Sequence, residues 1–323
     1  MSIVFIGTPA FAVPCLRRLA AGDLSLTAVI TQPDRPAGRG QHPRPSAIKL
    51  AAQDLGIPIL EPESLRDPEA VDQLAALAPE IIVAVAYGQI LRPEVLDIPP
   101  RGVLNIHPSL LPRWRGASPI PAAILAGDEQ TGATIMLMDA GMDSGPILAQ
   151  RPITIQPADT AETISEQLSN LGADLLAETL PRWLASEIRP AAQDETMATK
   201  SALLRKEDGA IDWSMPAIDV WRRVRAYNPW PGAYTSLDND LIHIWQAWPL
   251  EGDSGAEPGA VLPLQPDQRG DLPEDVEVDA IAVQTGSGLL AILRLQRAGR
   301  RAMPAGEFLR GMPGLVGRRL HSD

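Results

Sequence analysis

Two short stretches of the chain combine residue types that suit acyl transfer. The first is Asn105-Ile106-His107-Pro108-Ser109-Leu110-Leu111-Pro112. Residues i and i+2 on a strand point to one side, so a strand ending here presents Asn105 and His107 to one pocket. An amide N–H donor beside an imidazole suits a reaction in which an oxygen gains negative charge and a proton must be moved. The second stretch is Asp139-Ala140-Gly141-Met142-Asp143-Ser144-Gly145-Pro146. Its two glycines and proline allow a tight turn that carries a carboxylate back across the strand ends. Asp143 would then orient and charge-balance His107, as acids do for imidazoles in other acyl-transfer sites. A lone histidine is more often structural than catalytic, and Asp-Gly turns are common. Together the two stretches supply an amide donor, an imidazole and a carboxylate.

Other chemistries lose their usual support. Gly7-Thr8-Pro9 follows an apolar run but has a single glycine, too few to close backbone around a dinucleotide pyrophosphate. His42, His107, His243 and His321 show no metal-ligand spacing with one another or with Cys15, so no metal is expected. There is no Gly-x-Ser-x-Gly elbow and no P-loop.

The elements around these motifs read as an α/β domain with a doubly wound, mostly parallel sheet. Ile3–Ile6, Thr27–Thr31, Ile81–Ala86 and Val103–Ile106 are continuous apolar runs, as strands buried on both faces are, and Thr134–Met138 adds another. Helices are expected at Ala10–Ala21, Ala47–Leu55, Pro68–Leu77 and Thr160–Leu184. Ligands of such sheets lie at the carboxyl ends of the strands, where both motifs fall. Beyond this domain, one basic helix at Pro216–Ala226 and short alternating runs at Ala233–Leu237, Leu241–Ala247, Ala280–Thr285 and Leu289–Gln296 suggest a small β-barrel or sandwich. The chain's 323 residues exceed the usual span of one core. The division expected is a catalytic domain over 1–189, a linker over 190–205 and a second domain over 206–323. The Pro, Gly and acid-rich stretch Glu251–Asp279 reads as a mobile surface loop.

No apolar run approaches the roughly 20 residues of a membrane span, and the start lacks the signature of a signal peptide. A cytoplasmic protein without membrane association is expected, and a single cysteine, Cys15, fits a reducing compartment. The formal net charge of −12 argues against a nucleic-acid partner until its distribution is considered. It is +4 over residues 1–50, −12 over 51–200 and −4 over 201–323. The loop Pro33–Pro45 holds Arg35, Arg39 and Arg44 against one acid, Asp34, and the last stretch includes Arg300 and Arg301. Such basic patches suit phosphate contact.

With these motifs the chain resembles the folate-dependent formyltransferases, whose Asn-x-His-Pro/Gly-Ser-Leu-Leu-Pro and Asp-x-Gly-x-Asp-x-Gly signatures stand at Asn105–Pro112 and Asp139–Gly145. Thr31–Gly40, Tyr87-Gly88, Pro112–Ala117, Lys206–Trp213 and Arg225–Gly232 extend the resemblance over nearly the whole chain, toward the members that act on charged tRNA. It implies 10-formyltetrahydrofolate as co-substrate, initiator methionyl-tRNA as partner, and a C-terminal β domain of OB type. By resemblance Asn105, His107 and Asp143 are catalytic, and Ser109, Leu110, Leu111, Pro112, Tyr87 and Gly88 hold the folate. Arg39 would read the acceptor end, with Arg35, Arg44, Arg300 and Arg301 as further RNA contacts, and a monomer is expected. Gln41 and His42 stand where a more lysine-rich loop is usual, which shifts weight onto the C-terminal arginines. The alternatives are the same transfer to a small amine, such as an amino sugar nucleotide or a glycinamide ribonucleotide, or an RNA-binding protein that has lost catalysis.

Overall fold

The computed structural model describes residues 2–22, 24–37, 42–238, 240–266, 268, 272 and 280–322. Two compact units emerge, one of Met1–Pro119, Gln130–Thr154 and Ile164–Ser201, the other of Ile120–Glu129, Ile155–Thr163 and Ala202–Asp323. In chain order the elements up to residue 116 are β1 (Ser2–Gly7), α1 (Val13–Ala20), β2 (Ser25–Ile30), β3 (Arg35–Ala37), β4 (His42–Arg44), α2 (Ala47–Asp54), β5 (Ile59–Leu60), α3 (Pro68–Ala76), β6 (Ile81–Val85), α4 (Pro93–Leu96), β7 (Val103–His107) and β8 (Arg115–Gly116). Next come α5 (Pro119–Ala126), β9 (Gln130–Leu137), β10 (Ile147–Thr154), α6 (Ala161–Leu184) and β11 (Lys200–Ser201).

The first unit is built on a seven-stranded sheet in the order β10-β9-β7-β6-β1-β2-β5. Strands from β7 to β5 run parallel, while β9 and β10 are antiparallel to their neighbours. The parallel strands are continuous apolar runs because both faces are covered. On one face Ile3, Phe5, Val83, Leu104 and Ile106 pack with residues of α1, α2 and α6. On the other, Val4, Ile6, Ile82, Ala84 and Val103 pack with Ala70 and Leu74 of α3 and Val95 of α4. Cys15 lies inside the first cluster, where burial pushes its thiol up to about 12.

Several features depart from the reading of the sequence. The expected helix at Ala10–Ala21 opens with a 3-10 turn, and α1 proper starts at Val13 with Pro14 in its first turn, where a missing N–H costs nothing. Strand β10 was not anticipated because it is an edge strand whose side chains alternate between partly buried and exposed, leaving no continuous apolar run. Residues 191–201, inside the expected linker, are hydrogen-bonded into the first unit. Ala191 and Ile147 exchange backbone bonds of 2.8 Å, and β11 pairs with β8. Their order comes from backbone and polar side-chain bonds, which leave no hydrophobic period to read.

The second unit contains α7 (Ala217–Ala226), β12 (Ala233–Leu237), β13 (Asp240–Leu250), β14 (Val261–Pro263), β15 (Ile281–Gln284), β16 (Leu289–Arg297), β17 (Met303–Pro304) and α8 (Ala305–Gly311). Its curled antiparallel sheet, β12-β13-β16-β15-β14 with β17 on β16, has the OB-like architecture expected. The strand path is open between β12 and β14, and the C-terminal tail bonds to both edges. Ser236 and His321 exchange backbone bonds at 3.2 and 2.9 Å on the β12 side. Val261 N–H donates to Arg318 O and Leu320 N–H to Gly259 O, each at 2.8 Å, on the β14 side. Within Glu251–Asp279, expected to be a mobile loop, Val261–Pro263 is strand and Ser254 donates to the Gln284 side chain at 2.6 Å. Residues 267, 269–271 and 273–279 of that stretch lie outside the described residues.

Residues 155–163 join this second unit through a buried arginine. Arg225 of α7 donates to the carbonyls of Asp159 at 2.7 Å and Gln156 at 2.9 Å, with its guanidinium 4.2 Å from the Trp221 ring centroid. Burial brings its pKa down to about 10. Replacing it by alanine leaves two carbonyls without their donor, a loss of about 2–3 kcal/mol. Limited proteolysis of Arg225→Ala is expected to cut within residues 155–163 at least tenfold faster than in the parent protein.

Candidate active site

The polar pair of β7 is a continuation of an apolar face. Val103 packs against the helices α3 and α4, and two and four residues on, Asn105 and His107 point to the same side. In register, Asn105 lies between Ala84 and Met136, and His107 beside Thr134. The apolar face gives way to polar groups at the carboxyl ends of the strands. The Asn105 amide is partly exposed and hydrogen-bonds to no described residue, which leaves its N–H groups for a ligand.

His107 is only 5% exposed, and both ring nitrogens face protein atoms. Nε2 lies 2.9 Å from the Trp114 carbonyl, which can only accept, so Nε2 carries the hydrogen. Nδ1 lies 3.6 Å from Asp143 Oδ2, too long for a hydrogen bond until a proton arrives between them. Burial lowers the imidazole pKa below its ordinary value, against the opposing pull of Asp143 and the Trp114 carbonyl, so the neutral ring is favoured. With Nε2 committed to the Trp114 carbonyl, the neutral ring offers Nδ1, facing Asp143, as a proton site in place of a direct N–H to an oxyanion.

Asp143 sits in the loop between β9 and β10 with φ +51°, in the left-handed region that Asp tolerates better than most residues. Its carboxylate accepts the Gly116 N–H at 2.8 Å. Gly145 lets the loop fold back onto β9, because a Cβ there would stand 1.9 Å from the Leu137 carbonyl. The Trp114 N–H donates to the Thr199 hydroxyl at 2.9 Å, and the Arg115 N–H donates to Thr199 O at 2.9 Å. Trp114 has φ +61° and Gly116 φ +112°, and a Cβ on Gly116 would stand 2.6 Å from Ser201 O.

The residues expected to hold a folate divide into two groups. The Ser109 hydroxyl donates to Arg113 O at 2.6 Å and is fully buried, and Leu111 is buried too. Both therefore shape the turn, while Leu110 and Pro112 are partly exposed. The turn is tied to β9 and β10, with Leu111 N–H donating to the Thr134 hydroxyl at 3.2 Å and Gln150 donating to Leu111 O at 2.8 Å. Tyr87 turns its ring inward and its backbone toward the strand ends. Its ring packs in the core with Ile82 and Val103, where burial raises the phenol to about 12, and what it presents at the strand ends is its carbonyl. That carbonyl accepts from Gln32 at 2.6 Å and Thr8 at 3.1 Å, fastening the ends of β1, β2 and β6. Gly88 follows with φ +82°, and a Cβ there would stand 2.8 Å from Gln32 Nε2. Ile90, next along, is 70% exposed.

Of the basic residues, Arg35 and Arg44 stand opposite each other in the β3–β4 pair, and Arg35 reaches Glu63 at 3.7 Å. Arg39 lies outside the described residues. Arg300 is exposed, and Arg301 pairs with Glu307 at 2.5 Å. Thr134, Arg115, Gln150 and Gln193 were not singled out from sequence as site residues. Thr134 left a signal, a polar residue inside the apolar run of β9. Gln193 left none, since its partners are distant in sequence.

Residues 1–180 match the formyl transferase family, and residues 203–313 match the formyl transferase C-terminal domain. A methionyl-tRNA formyltransferase from Chloroflexus aurantiacus is 46% identical over 319 residues, covering 97% of each chain. One from Roseiflexus sp. is 47% identical, covering 99% of this chain and 95% of that one. The fold is shared with an N-formyltransferase from Helicobacter canadensis, solved with folinic acid and dTDP-3-aminofucose, at 14% identity and a TM-score of 0.64 over 90% of this chain and 98% of that one. HypX from Aquifex aeolicus, solved with tetrahydrofolic acid, gives 18% identity and a TM-score of 0.61 over 97% of this chain and 48% of that one. The chain belongs to the formyltransferase family, an enzyme class that transfers one-carbon groups. Both of the relatives named from Chloroflexus and Roseiflexus are methionyl-tRNA formyltransferases.

The buried neutral imidazole predicts a pH dependence of stability. An unfolded histidine protonates below about pH 6.5, whereas His107 resists. The unfolded chain then binds the extra proton, so this group's contribution falls as pH drops through that region. Urea midpoints at about pH 7.5 and about pH 5.5 should show a smaller acid loss in His107→Gln than in the parent protein.

Proposed function

We propose that the chain transfers the formyl group of 10-formyltetrahydrofolate to the α-amine of initiator methionyl-tRNA, acting as a cytoplasmic monomer. The observation that carries this reading is the unengaged Asn105 amide standing on one strand face with a buried His107 that meets the partly shielded Asp143. The 46–47% identical relatives support the acceptor by their names, and the folates held by the structural neighbours support the donor. A folate fits the residues present. Partly exposed Leu110 and exposed Ile90 offer apolar contact, and Gly88 leaves the strand ends free of a side chain there.

In this reading Asn105 donates to the formyl oxygen as the amine attacks and that oxygen gains negative charge. Preorganised donors of this kind contribute most where water is excluded. The proton lost by the amine goes to the gap between His107 Nδ1 and Asp143 Oδ2, and the imidazolium formed is stabilised by that carboxylate and by the Trp114 carbonyl. The pair then returns the proton to the folate nitrogen as the C–N bond breaks, so protons balance over the cycle. Arg39, Arg35 and Arg44 are the proposed contacts to the acceptor end of the tRNA, with Arg300 and Arg301 as contacts from the second unit.

Transfer to a small amine is the competing reading, and the fold alone accommodates it. Purified protein should formylate methionyl-tRNA and leave free methionine and an amino sugar nucleotide unchanged. Asn105→Ala should lose about 10²–10³-fold in kcat for methionyl-tRNA, with KM little altered. Formylation of the sugar nucleotide but not the charged tRNA would overturn the acceptor assignment, and full activity in Asn105→Ala would overturn the role of the amide.

A further inference from the structure

The loop that carries Asp143 lies outside any helix or strand, and two of its carbonyls are held by one side-chain amide. Gln193 Nε2 donates to Asp143 O at 2.8 Å and to Gly145 O at 2.7 Å. Its Oε1 accepts from Arg115 Nε at 3.0 Å and Nη2 at 2.9 Å. A guanidinium only donates, so the amide oxygen must face Arg115 and the NH2 group must face the loop. Arg115 is fixed in turn. It is buried, its strand pairs with β11, and it donates to both carboxylate oxygens of Glu195, at 2.9 and 2.8 Å. The ladder therefore runs from Glu195 through Arg115 and Gln193 to the backbone of Asp143, while the carboxylate of the same residue is held by the next amide along, Gly116 N–H.

We propose that Gln193, oriented by Arg115, is a positioning residue that keeps the Asp143 carboxylate against His107. The inference rests on the catalytic reading of His107 and Asp143. A tight turn with a left-handed residue at Asp143 has neighbouring conformations that would swing the carboxylate away, and two N–H bonds from one rigid amide select among them. Arg115 selects the amide's orientation, which a lone glutamine could reverse. The charged groups facing this arrangement are Asp143 on Nδ1 of His107, then Arg115 with Glu195 and Asp139 around its guanidinium. Displacing Asp143 removes the nearest negative charge from a buried imidazole and leaves desolvation less opposed.

The test uses the full-length chain in four forms: parent, Gln193→Ala, Arg115→Lys and Asp143→Asn. Formylation of methionyl-tRNA is measured together with the His107 titration midpoint by NMR and the thermal midpoint. Gln193→Ala should lower kcat by about 10–100-fold, with KM for both substrates within about twofold. Its His107 midpoint should fall toward that of Asp143→Asn. Arg115→Lys keeps the charge but cannot hold Oε1 with a paired fork, and should show the same pattern less strongly. A lower thermal midpoint with parental kcat and an unmoved His107 midpoint would overturn the inference, since that is what a purely structural role gives. Parental turnover in Asp143→Asn would sink the catalytic reading itself, whereas a slow Asp143→Asn beside a fast Gln193→Ala would sink only the role of Gln193.

Discussion

Three consecutive residues hold the site together. The Trp114 carbonyl accepts from His107, the Arg115 side chain orients Gln193, and the Gly116 N–H holds the Asp143 carboxylate. The imidazole comes from the end of β7 and the carboxylate from the loop between β9 and β10, and one short segment sets them against each other. Within that segment Trp114 has a left-handed backbone, φ +61°, and Gly116 takes a φ of +112° that glycine allows. Left-handed backbone at a bulky residue costs on the order of 1–3 kcal/mol and persists only where surrounding bonds over-determine it. Here those bonds come from Thr199, Ser201 and the β8–β11 pair.

The rest of the first unit supplies a rigid edge for that segment to work against. Helices α3 and α4 cover the face of the sheet that leads to the site, and beyond Val103 the same face carries Asn105 and His107. The ends of β1, β2 and β6 are fastened by Thr8 and Gln32 through the Tyr87 carbonyl. An amide with unspent donors, a neutral imidazole and a partly shielded carboxylate thus share one rim, which suits a reaction that builds negative charge on one oxygen and moves one proton.

The parallel core was legible because its strands are buried on both faces and read as unbroken apolar runs. Asn105 and His107 were legible for the same reason, as polar interruptions with a period of two at a strand end. Asp143 could be found because glycines and a proline flank it. The Tyr87-Gly88 pair shows that the backbone bends, but not which way the ring goes, and the ring lies in the core. Gln193 was invisible, and so was the order of residues 191–201. Both depend on polar contacts between residues roughly 50 to 80 positions apart, and these impose no local period. The C-terminal tail that bonds to two sheet edges was hidden likewise, since the bonds that pair it with those edges join backbone groups far apart in sequence.

The most direct measurement is single-turnover formylation of methionyl-tRNA by Gly116→Ala. A Cβ at this position would stand 2.6 Å from Ser201 O on a backbone with φ +112°, so the segment must move and its hold on Asp143 must loosen. The rate should fall on the order of 100-fold while binding of the charged tRNA stays within about twofold of the parent. A parental rate in a well-folded Gly116→Ala protein would contradict the claim that this segment sets the geometry of the His107–Asp143 pair.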